Sequence, residues 1–281
     1  MKSKVSGLMF LVVILIVSMF ASIAGAETST VGTTGKYDLG DYSLYANIQG
    51  VSNGKPTVIF ESGYGDDSSI WAGIQSVVAQ HTLTVSYDRA GLGQSDNVSE
   101  NKKDAKDQVK ALHKLLNRAH IPGPYIIVAH SIGGTNARVY ADRYGEDVAG
   151  IVFVDSSFEN QEEALYEALH EAFPDPVDYD AFIAAYTGQF TVEGSHETVL
   201  ESLNQAADTV KHDPLRNIPI SVITASQEQI SEAFKSVWFG FHATLASYSD
   251  FSKSVTAENS GHYVMLSEPQ LVINEILNLL N

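Results

Sequence analysis

The sequence contains no cysteine, and this absence excludes several kinds of chemistry at once. Without a thiol the chain can form no disulfide, use no cysteine nucleophile and bind no metal through thiolates. It also has no His-Glu-x-x-His motif and no group of carboxylates at metal-ligand spacing. We therefore expect that neither a metal nor another cofactor takes part in its chemistry.

Basic residues are also scarce, with 17 Lys and Arg against 34 Asp and Glu and a formal net charge of −17. Nucleic acid is an unsuitable partner for such a chain, because a phosphate backbone binds to a basic face. The glycine-rich segment 88–96 lacks the Gly-Lys-Ser/Thr ending of a phosphate-binding loop, so nucleotide binding is not expected either. A hydrophobic fraction of 44% over 281 residues indicates one large folded domain, with or without an insertion.

Only one long apolar run occurs in the sequence, and it lies near the N-terminus, at 7–23. Lys2 and Lys4 precede it and Ala24-Gly25-Ala26 follows it, which is the arrangement of a secretory signal peptide cleaved after Ala26. An uncleaved membrane anchor is the alternative, because the run reaches the lower limit of length for spanning a bilayer. We expect a secreted protein with no membrane span after cleavage, and a flexible leader at 27–36.

Beyond the leader, short apolar runs alternate with segments of helical periodicity. The runs predict strands at 57–60, 82–87, 125–129, 148–154, 218–224 and 255–258, after one or two antiparallel strands within 37–49. Strands alternating with helices imply crossover connections and a mostly parallel α/β sheet with helices on both faces. Residues 156–217 contain helical segments and no clear strand, so we predict a helical cap inserted between two parts of one core, 37–155 and 218–281.

The residues with the clearest chemical potential follow the predicted strands. Ser131 stands among small residues where the strand at 125–129 turns into a helix, and the helix N-terminus directs free N–H groups towards it. Ligands of parallel sheets bind at the carboxyl ends of the strands. Asp155, Glu228 and His262 follow other strands at that edge. A serine hydroxyl needs a base and an orienting carboxylate to act as a nucleophile, and these residues can supply both.

Four segments resemble motifs of the α/β-hydrolase superfamily, and the resemblance extends over 37–281. Ala129-His130-Ser131-Ile132-Gly133-Gly134 is similar to the Gly-x-Ser-x-Gly nucleophile turn, with Ala129 in place of the first glycine. Ser62-Gly63-Tyr64-Gly65 resembles the oxyanion loop. Segment 87–96 resembles the loop after the next strand, and Gly261-His262-Tyr263 resembles the region of the catalytic histidine. The resemblance implies a mostly parallel, doubly wound α/β-hydrolase sheet with a helical cap.

The same resemblance implies roles for individual residues. Ser131 would be the nucleophile and His262 the base, and the backbone N–H groups of Tyr64 and Ile132 would form the oxyanion hole. The family places its acid after either of two strands, which leaves Asp155 and Glu228 as alternatives. Asp155 is favoured because it directly follows a clear strand, whereas Glu228 precedes a helical stretch and could be a solvated acid there.

The function implied is that of an esterase- or lipase-like serine hydrolase, which cleaves a small-molecule carboxylic ester or a related acyl bond through an acyl-enzyme. A serine nucleophile excludes the members that use aspartate, the haloalkane dehalogenases and epoxide hydrolases. Amidase, lactonase, thioesterase and cofactor-free peroxidase activities remain alternatives, as does a non-catalytic ligand-binding protein of this fold. The aromatic residues of the cap would line an apolar pocket or form the core of the cap; they are Phe173, Tyr179, Phe182, Tyr186 and Phe190. The oligomeric state is left open.

Overall fold

A computed structural model describes residues 32–227 and 231–281 of the chain. Its centre is an eight-stranded sheet. In chain order the strands are β1 Gly35–Asp38, β2 Ser43–Gln49, β3 Thr57–Glu61, β4 Thr84–Tyr87, β5 Tyr125–His130, β6 Val148–Val154, β7 Ile220–Ala225 and β8 Ser252–Ala257. Across the sheet their order is β1-β2-β4-β3-β5-β6-β7-β8.

The sheet is mostly parallel. Its two antiparallel pairs, β1 with β2 and β2 with β4, lie at one edge, and all other neighbouring strands run parallel. Every residue of β3, β4, β5 and β7 is buried. Strands covered on both faces need apolar residues at successive positions, which explains why these strands appear in the sequence as continuous apolar runs. The predicted fold class is therefore confirmed.

Helices cover both faces of the sheet. They are α1 Ala72–Val78, α2 Ala105–Arg118, α3 Gly133–Tyr144, α4 Gln161–Ala172, α5 Pro176–Gly188, α6 His196–Thr209, α7 Glu232–Ser247, α8 Val264–Ser267 and α9 Pro269–Leu279. Buried residues of α2, α3 and α7 share one hydrophobic cluster with the sheet, and those of α1 and α9 share the cluster on the opposite face. In the described parts of the chain no helix is both long and apolar enough to cross a membrane.

The segment predicted as a cap contains α4, α5 and α6, all between β6 and β7. We refer to 156–217 as the helical insertion. Its last helix, α6, packs against α2 and α3, while α4 packs against α7. Side chains of α6 also accept hydrogen bonds at the N-terminus of α2, where Ser202 Oγ accepts from the Ala105 N–H (3.0 Å). The insertion is thus attached to the core through helix packing and through helix-end hydrogen bonds.

Most predicted strand boundaries differ from the observed ones by one to three residues, and two of these differences have a physical reason. β1 begins at Gly35, inside the predicted leader, because Gly35 and Lys36 pair with Ala46 and Tyr45 of β2. β8 begins at Ser252, earlier than predicted. The prediction missed this start because most residues of β8 are exposed and form no apolar run. The predicted signal peptide, 1–26, lies outside the described residues.

Candidate active site

Ser131 occupies a sharp turn between β5 and α3. Its φ is +52°, in the left-handed region that non-glycine residues rarely adopt. The turn is packed too closely for side chains at its base, since a Cβ on Gly133 would lie 2.7 Å from the Ser62 carbonyl oxygen. The Ser157 N–H donates to the Ser131 carbonyl (2.9 Å) and holds the turn from the neighbouring strand end. This geometry presents the serine hydroxyl at the carboxyl edge of the sheet.

Asp155 and His262 are joined by a hydrogen bond at the same edge. Asp155 directly follows β6, and its Oδ2 lies 2.7 Å from Nδ1 of His262. The other carboxylate oxygen, Oδ1, accepts from the Trp238 indole N–H and from the Ala225 backbone N–H, each at 2.9 Å. With Nδ1–H donated to the carboxylate, the His262 ring presents a free Nε2 that can accept a proton.

The environment of Asp155 favours its charged form. Burial alone would raise the pKa of this carboxyl group, but the hydrogen bonds from His262 and Trp238 and the nearby His242 ring lower the pKa below its usual value. A carboxylate that stays ionised can hold His262 in one tautomer and stabilise the ring once it gains a proton.

Tyr64 and Ile132, whose N–H groups are the predicted oxyanion donors, line the same cavity as Ser131 and His262. Neither the Tyr64 N–H nor the Ile132 N–H has an acceptor among residues 32–227 and 231–281. Ile132 lies just before α3, where backbone N–H groups have no partner within the helix. The two donors come from separate chain segments and are both available to an incoming oxygen atom.

The shared cavity has a volume of about 410 Å³. The helical insertion and α7 supply much of its apolar wall, with Leu165, Tyr186, Phe190, Val199, Phe234 and Trp238. The remaining cap aromatics pack against one another or a neighbour: the Phe173 and Phe182 rings lie 5.0 Å apart, and Tyr179 stacks on His170 at 3.7 Å. The predicted alternatives for these aromatics are therefore both present, with two lining the cavity and three packing within the insertion.

Two further histidines surround the triad candidates. His130 is buried, and its Nε2 lies 3.0 Å from the His262 carbonyl oxygen, which makes Nε2–H the donor. The His130 ring lies 4.5 Å from the His262 ring and borders the cavity. His242 is buried in the core, bonded to Thr224 Oγ1 and the Ser156 carbonyl at 2.8 Å each.

Three contacts of the site could not be identified from the sequence. They are the hydrogen bond from Trp238 to Asp155, the hydrogen bond from His130 to the His262 carbonyl, and the ion pair of Glu193 with Arg89. A tryptophan in an apolar helix was the available signal for the first, because a buried indole N–H needs an acceptor. Glu228, the alternative acid, lies in 228–230, outside the described residues. The structure places Asp155 against His262.

Arg89 forms buried ion pairs with two glutamates. Its guanidinium contacts Glu61 (2.8 Å) and Glu193. Asp88 instead accepts hydrogen bonds from the Ser68 and Gln94 N–H groups, each at 2.8 Å, and so holds its turn.

Comparisons with known proteins agree with this architecture. Residues 58–275 match the sequence profile described as "Alpha/beta hydrolase family". The uncharacterized protein YqjL of Bacillus subtilis (strain 168) is 28% identical over 218 residues, covering 77% of this chain and 80% of that protein. The 2-(acetamidomethylene)succinate hydrolase of Mesorhizobium japonicum is 22% identical over 278 residues, covering 88% and 94%. The esterase structure from Exiguobacterium antarcticum superimposes with a TM-score of 0.64 at 14% identity, covering 89% and 99%, and shows the likeness of fold.

Proposed function

The chain belongs to the alpha/beta hydrolase family, and we propose that it is a serine hydrolase that cleaves a carboxylic ester or a related acyl bond. The observation that carries the proposal is the 2.7 Å contact between Asp155 and His262, on a cavity that also contains Ser131. Nucleophile, base and acid thus lie at one sheet edge, and the base is already oriented by the acid.

The proposed reaction follows from this arrangement. His262 Nε2 takes the proton from Ser131 Oγ as the oxygen attacks the carbonyl carbon. The N–H groups of Tyr64 and Ile132 stabilise the negative oxygen of the tetrahedral intermediate. His262 then returns the proton to the leaving group, and an acyl-enzyme remains on Ser131. Water, activated by the same imidazole, releases the acid and restores the serine.

The cavity supports a small-molecule substrate with an apolar group. A volume of about 410 Å³ with a largely apolar wall is within the range of small-ligand sites. Amide, lactone and thioester bonds react through the same intermediates, so the bond type is decided by experiment. A panel of p-nitrophenyl esters of graded acyl length, with matched amide, lactone and thioester substrates, ranks these activities.

The test of the nucleophile is covalent labelling by a fluorophosphonate probe. Wild-type protein should label, and Ser131→Ala should not. Ser157→Ala is the matched control, because Ser157 borders the same cavity and makes its contact to Ser131 through the backbone. A folded wild-type protein that never labels would refute the serine hydrolase and favour a binding protein of this fold.

A second pair of variants tests the acid. Asp155→Asn should lower kcat by on the order of 10³–10⁴-fold, because an amide can hold His262 in the wrong tautomer. Glu228→Gln should change kcat little. A larger loss in Glu228→Gln than in Asp155→Asn would assign the acid to Glu228.

We also propose that the protein is secreted, which rests on the sequence pattern of residues 1–26 alone. The N-terminal sequence of the exported protein should begin at Glu27. A chain that retains Met1 and sediments with membranes would instead indicate an uncleaved anchor.

A further inference from the structure

Glu193 and Gly194 of the helical insertion form hydrogen bonds with the oxyanion loop, Ser62–Gly65. The Gly65 N–H donates to Glu193 Oε2 at 3.0 Å. The Tyr64 hydroxyl donates to the Gly194 carbonyl (2.7 Å) and accepts from the Glu193 N–H (3.2 Å). The segment between α5 and α6 therefore holds the loop on the side of the insertion.

Arg89 holds the same loop from the core. Its Nη1 donates to the Ser62 carbonyl (2.7 Å) and its Nη2 to the Gly63 carbonyl (2.6 Å). The guanidinium also donates to Glu193, from Nη2 at 2.8 Å and from Nε. Arg89 and Glu193 are 3% and 4% exposed, so these bonds form away from competing water.

The hydrogen bond to Gly63 fixes the direction of an oxyanion donor. The Gly63 carbonyl and the Tyr64 N–H belong to one peptide unit, and in a planar trans peptide these two groups point in opposite directions. Arg89 Nη2 and the Asp66 N–H (3.2 Å) both donate to the Gly63 carbonyl. We therefore infer that the Tyr64 N–H points the opposite way, towards the cavity that Tyr64 lines. The bond from Gly65 to Glu193 fixes the next peptide unit, so rotation about Tyr64 is limited from both sides.

Glu193 and Glu61 both bind the Arg89 guanidinium, and Glu193 is the partner that belongs to the helical insertion. Burial would lower the pKa of the Arg89 guanidinium, but the carboxylates of Glu193 and Glu61 raise it above its usual value. Glu193 accepts from both the Nε and the Nη2 edge of the guanidinium, and this paired contact sets the plane in which Nη2 reaches Gly63. No proton transfer in the proposed reaction requires a carboxylate at this position.

We propose that Glu193 is a positioning residue that directs the Tyr64 N–H into the oxyanion hole by holding Arg89 and Gly65. The inference rests on the proposed hydrolase function. It also gives the helical insertion a role beyond forming a wall of the cavity, because the oxyanion hole is complete only when Glu193 is seated against the core.

The test compares Glu193→Ala and the milder Glu193→Gln with wild type. We expect kcat to fall about 10- to 100-fold in Glu193→Ala with KM changed less than threefold, because removing an oxyanion donor altogether costs about 10²–10³-fold. A trifluoromethyl ketone inhibitor forms an oxyanion on Ser131, so its affinity should fall in parallel with kcat. Glu193→Gln keeps an acceptor for the Gly65 N–H, so its kcat and inhibitor affinity should lie between those of wild type and Glu193→Ala.

Glu159→Ala is the matched control. Glu159 is equally buried and pairs with Arg138, so it also joins the insertion to a core helix. It has no hydrogen bond to Ser62–Gly65 within the described ranges. This variant should lose thermal stability without a selective loss of kcat or of inhibitor affinity.

Hydrogen exchange in the peptide that spans Ser62–Gly65 provides a readout independent of turnover. Exchange should accelerate in Glu193→Ala and stay at the wild-type rate in Glu159→Ala. The proposal is overturned if the two variants behave alike, or if Glu193→Ala raises KM alone. An unreactive wild-type protein would refute the proposed hydrolase, whereas the exchange comparison would still decide whether Glu193 orders the loop.

Discussion

The buried His130 should make the folded protein less stable in mild acid. Its Nε2–H donates to the His262 carbonyl, and its Nδ1, 3.9 Å from Asp66 Oδ2, has no hydrogen-bond partner among the described residues. Burial, reinforced by the neighbouring His262, lowers the pKa of His130 to about 3. The ring therefore stays neutral in the folded protein at every pH in ordinary use.

The magnitude follows from the difference between the folded and unfolded states. An unfolded histidine has a pKa of about 6.5, so below that pH the unfolded chain binds a proton that the folded chain excludes. The free energy of unfolding should consequently fall as pH falls below about 6.5, by up to about 1.4 kcal/mol per pH unit. At pH 5 the contribution of this one group is a loss of about 2 kcal/mol relative to pH 7.5.

The assay is urea unfolding at several pH values, followed by tryptophan fluorescence, for wild type and His130→Gln. The stability advantage of wild type over the variant should shrink by about 2 kcal/mol between pH 7.5 and pH 5. His242, whose pKa burial also lowers, is present in both proteins and cancels in the difference. His81→Gln, which removes an exposed histidine, is the control. An advantage that stays constant over this range would refute the buried, neutral imidazole.

The remaining predictions concern Trp238 and two glycines. Trp238→Phe removes the indole N–H that donates to Asp155 but keeps an aromatic ring at the cavity. We expect kcat to fall about tenfold, because a hydrogen bond to a charged group contributes about 1.5–3 kcal/mol. An unchanged kcat would contradict this role of Trp238. Gly240→Ala, inside α7 with no atom beyond the adjacent helix backbone within 4 Å of the added Cβ, should raise the stability by about 0.5–1 kcal/mol in thermal unfolding. Gly133→Ala should lower the stability and reduce labelling of Ser131, because the added Cβ would lie 2.7 Å from the Ser62 carbonyl oxygen.

Much of the fold could be predicted because its signals are local. β5 and β6 are continuous apolar runs bounded by turn residues, and α2 buries its apolar positions on one side. β1 and β8 gave weaker signals for a physical reason. Both are edge strands with exposed residues, so their place in the sheet depends on backbone pairing rather than on an apolar pattern.

The candidate site was predictable to the extent that its residues follow strands. Ser131, Asp155 and His262 each come after a strand that ends at the same edge, and chain order alone indicated their proximity. The supporting contacts have no such signal. Arg89 meets Glu193 across 104 positions, and Asp155 meets Trp238 across 83. These contacts between distant parts of the sequence form because the helical insertion and α7 pack on the core. Patterns in a single sequence do not show that packing.

The hydrogen bond between Asp155 and His262 also has a consequence for the timing of activity. It joins residues 107 positions apart, and the histidine follows β8, the last strand in chain order. A chain emerging from the ribosome presents its serine and aspartate well before its histidine. Until β7 and β8 have paired, the nascent chain has a hydroxyl and a carboxylate but no base. The proposed hydrolytic activity would therefore arise only after the last strand has joined the sheet.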